Sequence, residues 1–167
     1  MNNKDRLIRL RYALDIKNTD MVEIFKLGGI DVTKEEVLEI LKKSNKSDDN
    51  DDDFYEDETL NDRMLESFFN GFIIFKRGRQ EPKPGQSDKP VMLYVNESIN
   101  NIMLKKLKIA LSLTSDDMLD ILEDAGVFIR NGELGALLRR VGHKNYQECG
   151  DRYARNFLKG LAIKYRG

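Results

Sequence analysis

Apolar residues recur along this chain at intervals of three and four, the spacing that places side chains on one face of an α-helix. Charged residues fill most of the positions between them, which is typical of helices with one buried and one solvated face. The same apolar pattern occurs twice, at Leu7, Leu10, Ala13 and Leu14 and again at Leu104, Leu107, Ala110 and Leu111. The sequence therefore predicts an all-α protein of amphipathic helices.

This helical pattern is part of a longer internal repeat. A shift of 97 residues aligns 3–43 with 100–140 without a gap, and eleven of the 41 aligned pairs are identical. A second block, shifted by 89 residues, matches Asp62-Arg63 to Asp151-Arg152, Phe68 to Phe157 and Gly71 to Gly160. Because both blocks occur in the same order, we predict two copies of one unit in the chain.

Each copy is predicted to contain four helices, and the two copies are expected to share a core as one pseudo-symmetric helical bundle. The first copy is placed at 1–79, a linker containing Pro and Gly at 80–95, and the second copy at 96–167. The fourth helices are predicted from about Leu60 to Arg77 and from about Tyr146 to Tyr165, the latter opened by the capping-box spacing Asn145-x-x-Glu148.

Two glycines fall inside the predicted fourth helices, Gly71 in the first copy and Gly160 in the second. Glycine costs a helix interior about 1 kcal/mol relative to alanine, so another interaction must compensate. We expect close helix crossing at the pseudo-twofold axis of the bundle; contact with a ligand is the alternative.

Charge is unevenly distributed, although 28 basic residues nearly balance 29 acidic ones. Nine acidic residues and no Lys or Arg lie between Asp48 and Asp62. We expect 48–58 to form a disordered loop, either simply solvated or shielding a basic surface. The tract does not have the EF-hand spacing, since Phe54 and Leu60 occupy the positions where that loop needs Gly and Glu. No cofactor or metal site is predicted.

One segment combines the chain's single His and single Cys, His143 and Cys149, with the nearby Asp151. This combination could support a thiol-dependent enzyme if the three side chains met. The repeat argues otherwise, because Cys149 aligns with Leu60 and is therefore expected to be a small buried residue. His143 is expected to be a capping or surface group, so no catalytic residue is assigned.

Two surfaces are candidates for binding a partner. The first contains the His143 segment and the repeated Asp-Arg pairs, which serve either a binding role or helix stabilisation: His143, Lys144, Asn145, Tyr146, Asp151, Arg152, Asp62 and Arg63. The second contains basic residues of the first helix of each copy, which could contact nucleic-acid phosphates: Lys4, Arg6, Arg9, Arg11, Lys105, Lys106 and Lys108. Basic residues on solvated helix faces and a pI near 6.0 make this second signal nonspecific.

The segments Leu104–Leu122, His143–Asp151 and Phe157–Ala162 resemble the YehS-like family of small bacterial proteins, domain of unknown function 1456, which carries two copies per chain. The resemblance implies a bacterial cytoplasmic protein with tandem helical units and lends no catalytic residues, since the family has no established activity. The first copy departs from the pattern through its acidic tract and its lack of the His-Lys-Asn element.

The function favoured by the sequence is a non-enzymatic macromolecule-binding or regulatory module with a protein partner. Nucleic-acid binding through basic helix faces is the alternative, and a thiol-dependent enzyme is the second alternative. The first residues do not resemble a signal peptide, and no window has the roughly 18 to 20 apolar residues of a membrane span. We therefore expect a cytoplasmic location without membrane contact; the oligomeric state stays open.

Overall fold

The computed structural model describes residues 1–42, 60–78 and 92–166, and the acidic segment 48–58 lies outside these ranges. The described residues form helices and loops without a strand, which confirms the predicted all-α class. No helix among them combines the length and apolarity needed to span a membrane. The helices are α1 (Asn3–Leu14), α2 (Asn18–Leu27), α3 (Lys34–Leu41), α4 (Asp62–Arg77), α5 (Ile99–Ala110), α6 (Ser115–Asp124), α7 (Asn131–Leu138) and α8 (Asp151–Arg166).

The two copies fold alike, down to details of the backbone. Helices α4 and α8 begin and end 89 residues apart, as the sequence repeat requires. Helices α1 and α5 are followed by Asp15 and Ser112, which both adopt a left-handed conformation with φ of 51° and 53°. The duplication predicted from the sequence is therefore confirmed in the fold.

The copies exchange their main helix contacts. Helix α1 packs chiefly on α8 and α5 chiefly on α4, so the first helix of each copy lies against the fourth helix of the other. Within each copy the fourth helix packs instead on the second, α4 on α2 and α8 on α6. The apolar side chains form one continuous core, in which Phe25 and Phe68 meet edge to face with centroids 4.8 Å apart. Neither copy has a complete core alone.

Helix α8 begins at Asp151, so the prediction of a helix from Tyr146 with an Asn145 capping box is wrong. The cause is a long-range contact of Asn101 on α5. Its amide nitrogen donates to the Gln147 carbonyl at 2.9 Å, and its carbonyl oxygen accepts from the Cys149 backbone N–H at 2.8 Å. These bonds occupy backbone groups that a helix would need, and they hold the segment in an irregular conformation.

Both interior glycines lie where two helices cross closely, as predicted. A Cβ on Gly71 would overlap the Ile24 carbonyl oxygen of α2, and one on Gly160 would overlap the equivalent Ile121 carbonyl of α6. The predicted position at the pseudo-twofold axis is wrong, because each crossing joins the fourth and second helices of the same copy. The axis is instead surrounded by the exchanged helices.

We expect Gly71→Ala to destabilise the protein by about 2 kcal/mol, because α2 and α4 must separate to admit the methyl group. The matched control is Gly135→Ala on α7, where nothing lies within 4 Å of the added Cβ. That change should stabilise by up to about 1 kcal/mol through helix propensity. Urea unfolding measures both, and equal effects of the two substitutions would contradict the close crossing.

Candidate functional site

The beginnings of α1 and α5 make the same polar contact in both copies. The Asn3 amide nitrogen donates to the Leu60 carbonyl at 3.1 Å and to Asp62 Oδ1 at 2.8 Å. Its counterpart Asn100 donates to the Cys149 carbonyl at 3.1 Å and to Asp151 Oδ1 at 2.8 Å. The repeated Asp of the Asp-Arg pairs therefore binds the first helix of its own copy, while the exchanged helices fill the core.

Arg6 joins these two contacts into one inter-repeat cluster, which consists of Asn3, Arg6, Asp62, Asn100 and Asp151. Its Nε donates to Asn100 Oδ1 at 2.8 Å, its Nη1 to Asn3 Oδ1 at 2.9 Å and its Nη2 to Asp151 Oδ1 at 3.2 Å. Arg6 aligns with Met103, which is fully buried, so the repeat is not symmetric here. One guanidinium thus binds polar groups of both copies.

The cluster is electrostatically balanced. Burial lowers the pKa of Arg6, and the neighbouring Asp151 opposes that effect. The pKa of Asp151 is lowered chiefly by the hydrogen bond from Asn100, with further contributions from the Met1 ammonium group at 3.1 Å and from Arg6. Because Asp151 is engaged in this way, its role in the described structure is to join helices, although the sequence made it a candidate for partner binding.

A second polar cluster, centred on Glu66, was missed by sequence reasoning. Glu66 is completely buried on α4 and accepts from the backbone N–H groups of Leu93 and Tyr94 at 2.7 and 2.8 Å. The Lys106 ammonium lies 3.7 Å from the same carboxylate. Glu66 therefore fixes the segment preceding α5 onto α4. A glutamate in mid-helix resembles a solvated residue, so the sequence contained no signal for this contact.

The basic residues selected as nucleic-acid contacts do not form one surface. Arg6 and Lys106 are buried, and Lys105 pairs with Glu97, so none of these three predicted contacts is an exposed cation in the described structure. Arg11 donates to Asn18 Oδ1 at 2.7 Å. Arg9 is exposed, and Lys4 and Lys108 are half-buried. The exchanged packing places α1 on α8 and α5 on α4, so the basic residues of α1 and those of α5 lie on different helix pairs.

The residues of the single-copy segment lie partly on the surface. His143, Lys144 and Asn145 are exposed, and His143 Nδ1 accepts from the Asn145 backbone N–H at 3.1 Å. Tyr146 is half-buried with the Lys105 ammonium 5.8 Å from its ring centroid. Burial, before any neighbouring charge, raises the pKa of Tyr146 to about 12. Of the repeated Asp-Arg pairs, Asp62, Arg63 and Arg152 are exposed.

Cys149 is a buried structural residue, as its alignment with Leu60 predicted. Only 1% of its surface is exposed, and burial, reinforced by Asp151, raises the pKa of its thiol to about 12. Reactive cysteines have lowered pKa values and open surroundings, which is the opposite environment. This geometry disfavours the thiol-dependent mechanism centred on His143 and Cys149.

A row of cations lies along the exposed side of the α1 and α8 pair. Arg152, Arg155 and Lys159 are exposed and lie three and four residues apart on α8, so they share one helix face. Arg9 is exposed on α1. Arg166, near the end of α8, packs over the Tyr12 ring at 4.3 Å and pairs with Asp15 at 3.2 Å. We define Arg9, Arg152, Arg155 and Lys159 as the α1/α8 basic face.

A shallow groove of about 460 Å³ lies on the second copy, beside α6. It is lined by Asp116, Leu119, Asp120, Glu123, Val127, Phe128 and Ile129. Phe128, one of the lining residues, is 75% exposed.

Within the described ranges, no group of three or more His, Cys, Asp and Glu side chains is arranged to hold a metal ion.

Comparison with known proteins places the chain in a family. The family model described as "Protein of unknown function (DUF1456)" matches residues 2–78 and again residues 100–167. The chain is also similar to the uncharacterized protein YehS of Escherichia coli strain K12, with 37% identity over 164 residues, covering 98% of this chain and 96% of that protein. The chain belongs to the DUF1456 family. No solved structure matches this DUF1456 protein.

The inter-repeat cluster should make the stability of this DUF1456 protein depend on acid pH. The pKa of Asp151 is lower in the folded than in the unfolded protein. Its charge therefore stabilises the folded protein fully at a pH above the pKa of an unfolded aspartate, which is about 3.9. The stabilisation is lost as the pH falls through the lower pKa that Asp151 has in the folded protein. Asp151→Asn should therefore lower the unfolding free energy near neutral pH, with a difference from wild type that shrinks below pH of about 4.

Urea unfolding across a pH series measures this effect. Asp31→Asn, in an exposed loop, is the matched control and should follow the wild-type curve. A difference between wild type and Asp151→Asn that is constant with pH would show that the charge of Asp151 is not what stabilises the joint.

The thiol of this DUF1456 protein should react slowly with alkylating and disulfide reagents. An ordinary thiol has a pKa of about 8.5, so a pKa of about 12 leaves Cys149 with more than about a thousandfold less thiolate near neutral pH. We expect labelling of the folded protein to be at least about a hundredfold slower than that of free cysteine. Unfolding in urea should restore the ordinary rate, and fast labelling without urea would revive the thiol mechanism.

Proposed function

We propose that this DUF1456 protein is a non-enzymatic binding protein that contacts an anionic macromolecule through the α1/α8 basic face. The observation that carries the proposal is the exposed row Arg152, Arg155 and Lys159 on one face of α8, with Arg9 on the neighbouring α1. Both helices run in the same direction, since Asp151 lies near Arg6 and Arg166 near Tyr12. The cations therefore follow one extended surface.

The local charge balance supports this choice of surface. The Asp151 carboxylate lies at the beginning of the same row, but it bonds to Arg6, Asn100 and the Met1 ammonium group. Asp5, on the exposed side of α1, keeps its negative charge while it accepts from the Asn2 backbone N–H in a capping box, so the four cations still leave the face with a net positive charge. The net positive charge of the α1/α8 basic face attracts anions over a distance of about 8 to 10 Å at moderate salt.

A binding role is also favoured over the thiol-dependent alternative. Cys149 is buried with a raised pKa, and Asp151, which reinforces that shift, belongs to the inter-repeat cluster. The cytoplasmic location expected from the sequence fits a chain whose single cysteine permits no intrachain disulfide. A cytoplasmic location is therefore part of the proposed function.

Heparin-agarose, a generic polyanion, provides the test of the surface. Wild-type protein should bind at low salt, and the double substitution Arg155→Glu with Lys159→Glu should weaken retention by about tenfold in affinity, because attraction is replaced by repulsion at two exposed positions. Circular dichroism verifies that both proteins are folded. The readout is the salt concentration at elution.

The matched control reverses the same number of charges on exposed residues of α2 and α3, Lys26→Glu with Lys34→Glu. This control variant has the same net charge as the test variant, and it should elute at nearly the same salt concentration as wild type. If control and test variants lose equal retention, net charge rather than the α1/α8 basic face determines binding, and the proposed surface is wrong.

A further inference from the structure

The internal repeat provides a direct comparison between the α1/α8 face and its counterpart, the α4/α5 face. Three positions are matched by the shifts of 89 and 97 residues: Glu66 with Arg155, Asn70 with Lys159, and Lys106 with Arg9. The two faces are built from equivalent helices in equivalent packing, α4 on α5 and α8 on α1. Differences between these positions therefore report how each face is used.

On the α4/α5 face, the three residues hold a segment of the chain itself. Glu66 accepts from the Leu93 and Tyr94 backbone N–H groups, and the Asn70 amide nitrogen lies 3.3 Å from the Met92 sulfur. Glu66, Asn70 and Lys106 are all buried. Leu93 and Tyr94 are half-buried and pack against the core. Helix α4, with Glu66 paired to Lys106 of α5, therefore holds a short irregular polypeptide segment.

On the α1/α8 face, the matched residues are all exposed and all cationic. Arg155 occupies the position of the carboxylate that binds backbone N–H groups, and Lys159 occupies the position of the amide. Arg9 takes the place of the lysine that neutralises Glu66. The acceptor carboxylate and the amide are replaced by cations, while the third position is cationic in both copies, so a charge-balanced face becomes a positively charged one.

We propose that the α1/α8 face binds an acidic peptide segment of another protein, held by Arg155 and Lys159 of α8 at the positions where Glu66 and Asn70 of α4 hold residues 92–94. This inference rests on the proposed function and names the partner class for the same surface. Arginine and lysine donate to carbonyl and carboxylate oxygens, and arginine binds a carboxylate through two parallel hydrogen bonds. The bound segment needs Asp or Glu side chains opposite Arg9, Arg155 and Lys159.

Apolar groups on the same face favour a peptide over a nucleic acid. Ile8 is half-buried and Tyr12 exposed on α1, and Ala162 is half-buried on α8, one turn from Lys159. Their counterparts in the other copy are Lys105, Ile109 and Ile73. A partner with an apolar residue between its acids can use both kinds of contact, whereas phosphates use only the cations.

The test compares three fluorescein-labelled probes by anisotropy: a short peptide alternating Glu with Leu, its counterpart with Gln in place of Glu, and single-stranded DNA of the same charge. The acidic peptide should bind wild-type protein at least about tenfold more tightly than the Gln peptide. Arg155→Glu with Lys159→Glu should abolish that preference. Arg155→Lys with Lys159→Arg should retain most of it, and Lys26→Glu with Lys34→Glu should retain all of it.

The outcomes separate this inference from the proposed function. Binding of DNA but not of the acidic peptide, sensitive to the Arg155 and Lys159 reversals, overturns the peptide assignment and leaves the surface in place. Binding of no anionic probe overturns both. In wild-type protein, amide NMR shifts on adding the acidic peptide should concentrate on α1 and α8, and shifts confined to Asp116–Ile129 would contradict the assignment.

Discussion

Helix α1 buries its apolar face against α8 and α5 buries its own against α4, so each half of the chain completes the core of the other. The inter-repeat cluster and the two outer helix faces depend on this exchange. It brings Asn3 and Asn100 together around Arg6, and it creates the two equivalent helix pairs whose outer faces differ. A buried arginine commonly adds little stability over an apolar residue such as Met103, which occupies the matching position in the other copy, but its directed bonds to both copies favour one relative orientation.

The sequence was sufficient for the features that depend on local patterns or on the repeat. The helices, the duplication, the burial of Cys149 and the tight crossings at Gly71 and Gly160 follow from spacing and alignment. The exchange could not be predicted, because an internal repeat is equally compatible with helices that pack within a copy or between copies. The start of α8 depends on Asn101, a residue nearly fifty positions away in the chain, and no local capping rule includes it.

Buried charge was the other failure of sequence reasoning, and its cause is general. Arg6 and Glu66 stand beside apolar residues in amphipathic helices, where a charge normally marks the solvated side. The identity of Asn3 with Asn100 and the recurrence of Asp62 as Asp151 were the available signals for the inter-repeat cluster. They pointed to a role common to both copies, and the structure identifies that role as helix joining.

Duplication also explains how one scaffold can carry two different surfaces. The α4/α5 face uses Glu66 to hold the chain's own residues 92–94. On the other face, α8 instead has three exposed cations spaced three and four residues apart, Arg152, Arg155 and Lys159. Like charges three or four residues apart destabilise a helix by a few tenths of a kcal/mol per pair, and the acid best placed to offset them, Asp151, four residues before Arg155, is engaged by Arg6 and Asn100. The repulsion along this row is therefore a small cost to the free protein. The anionic partner proposed above would offset this repulsion.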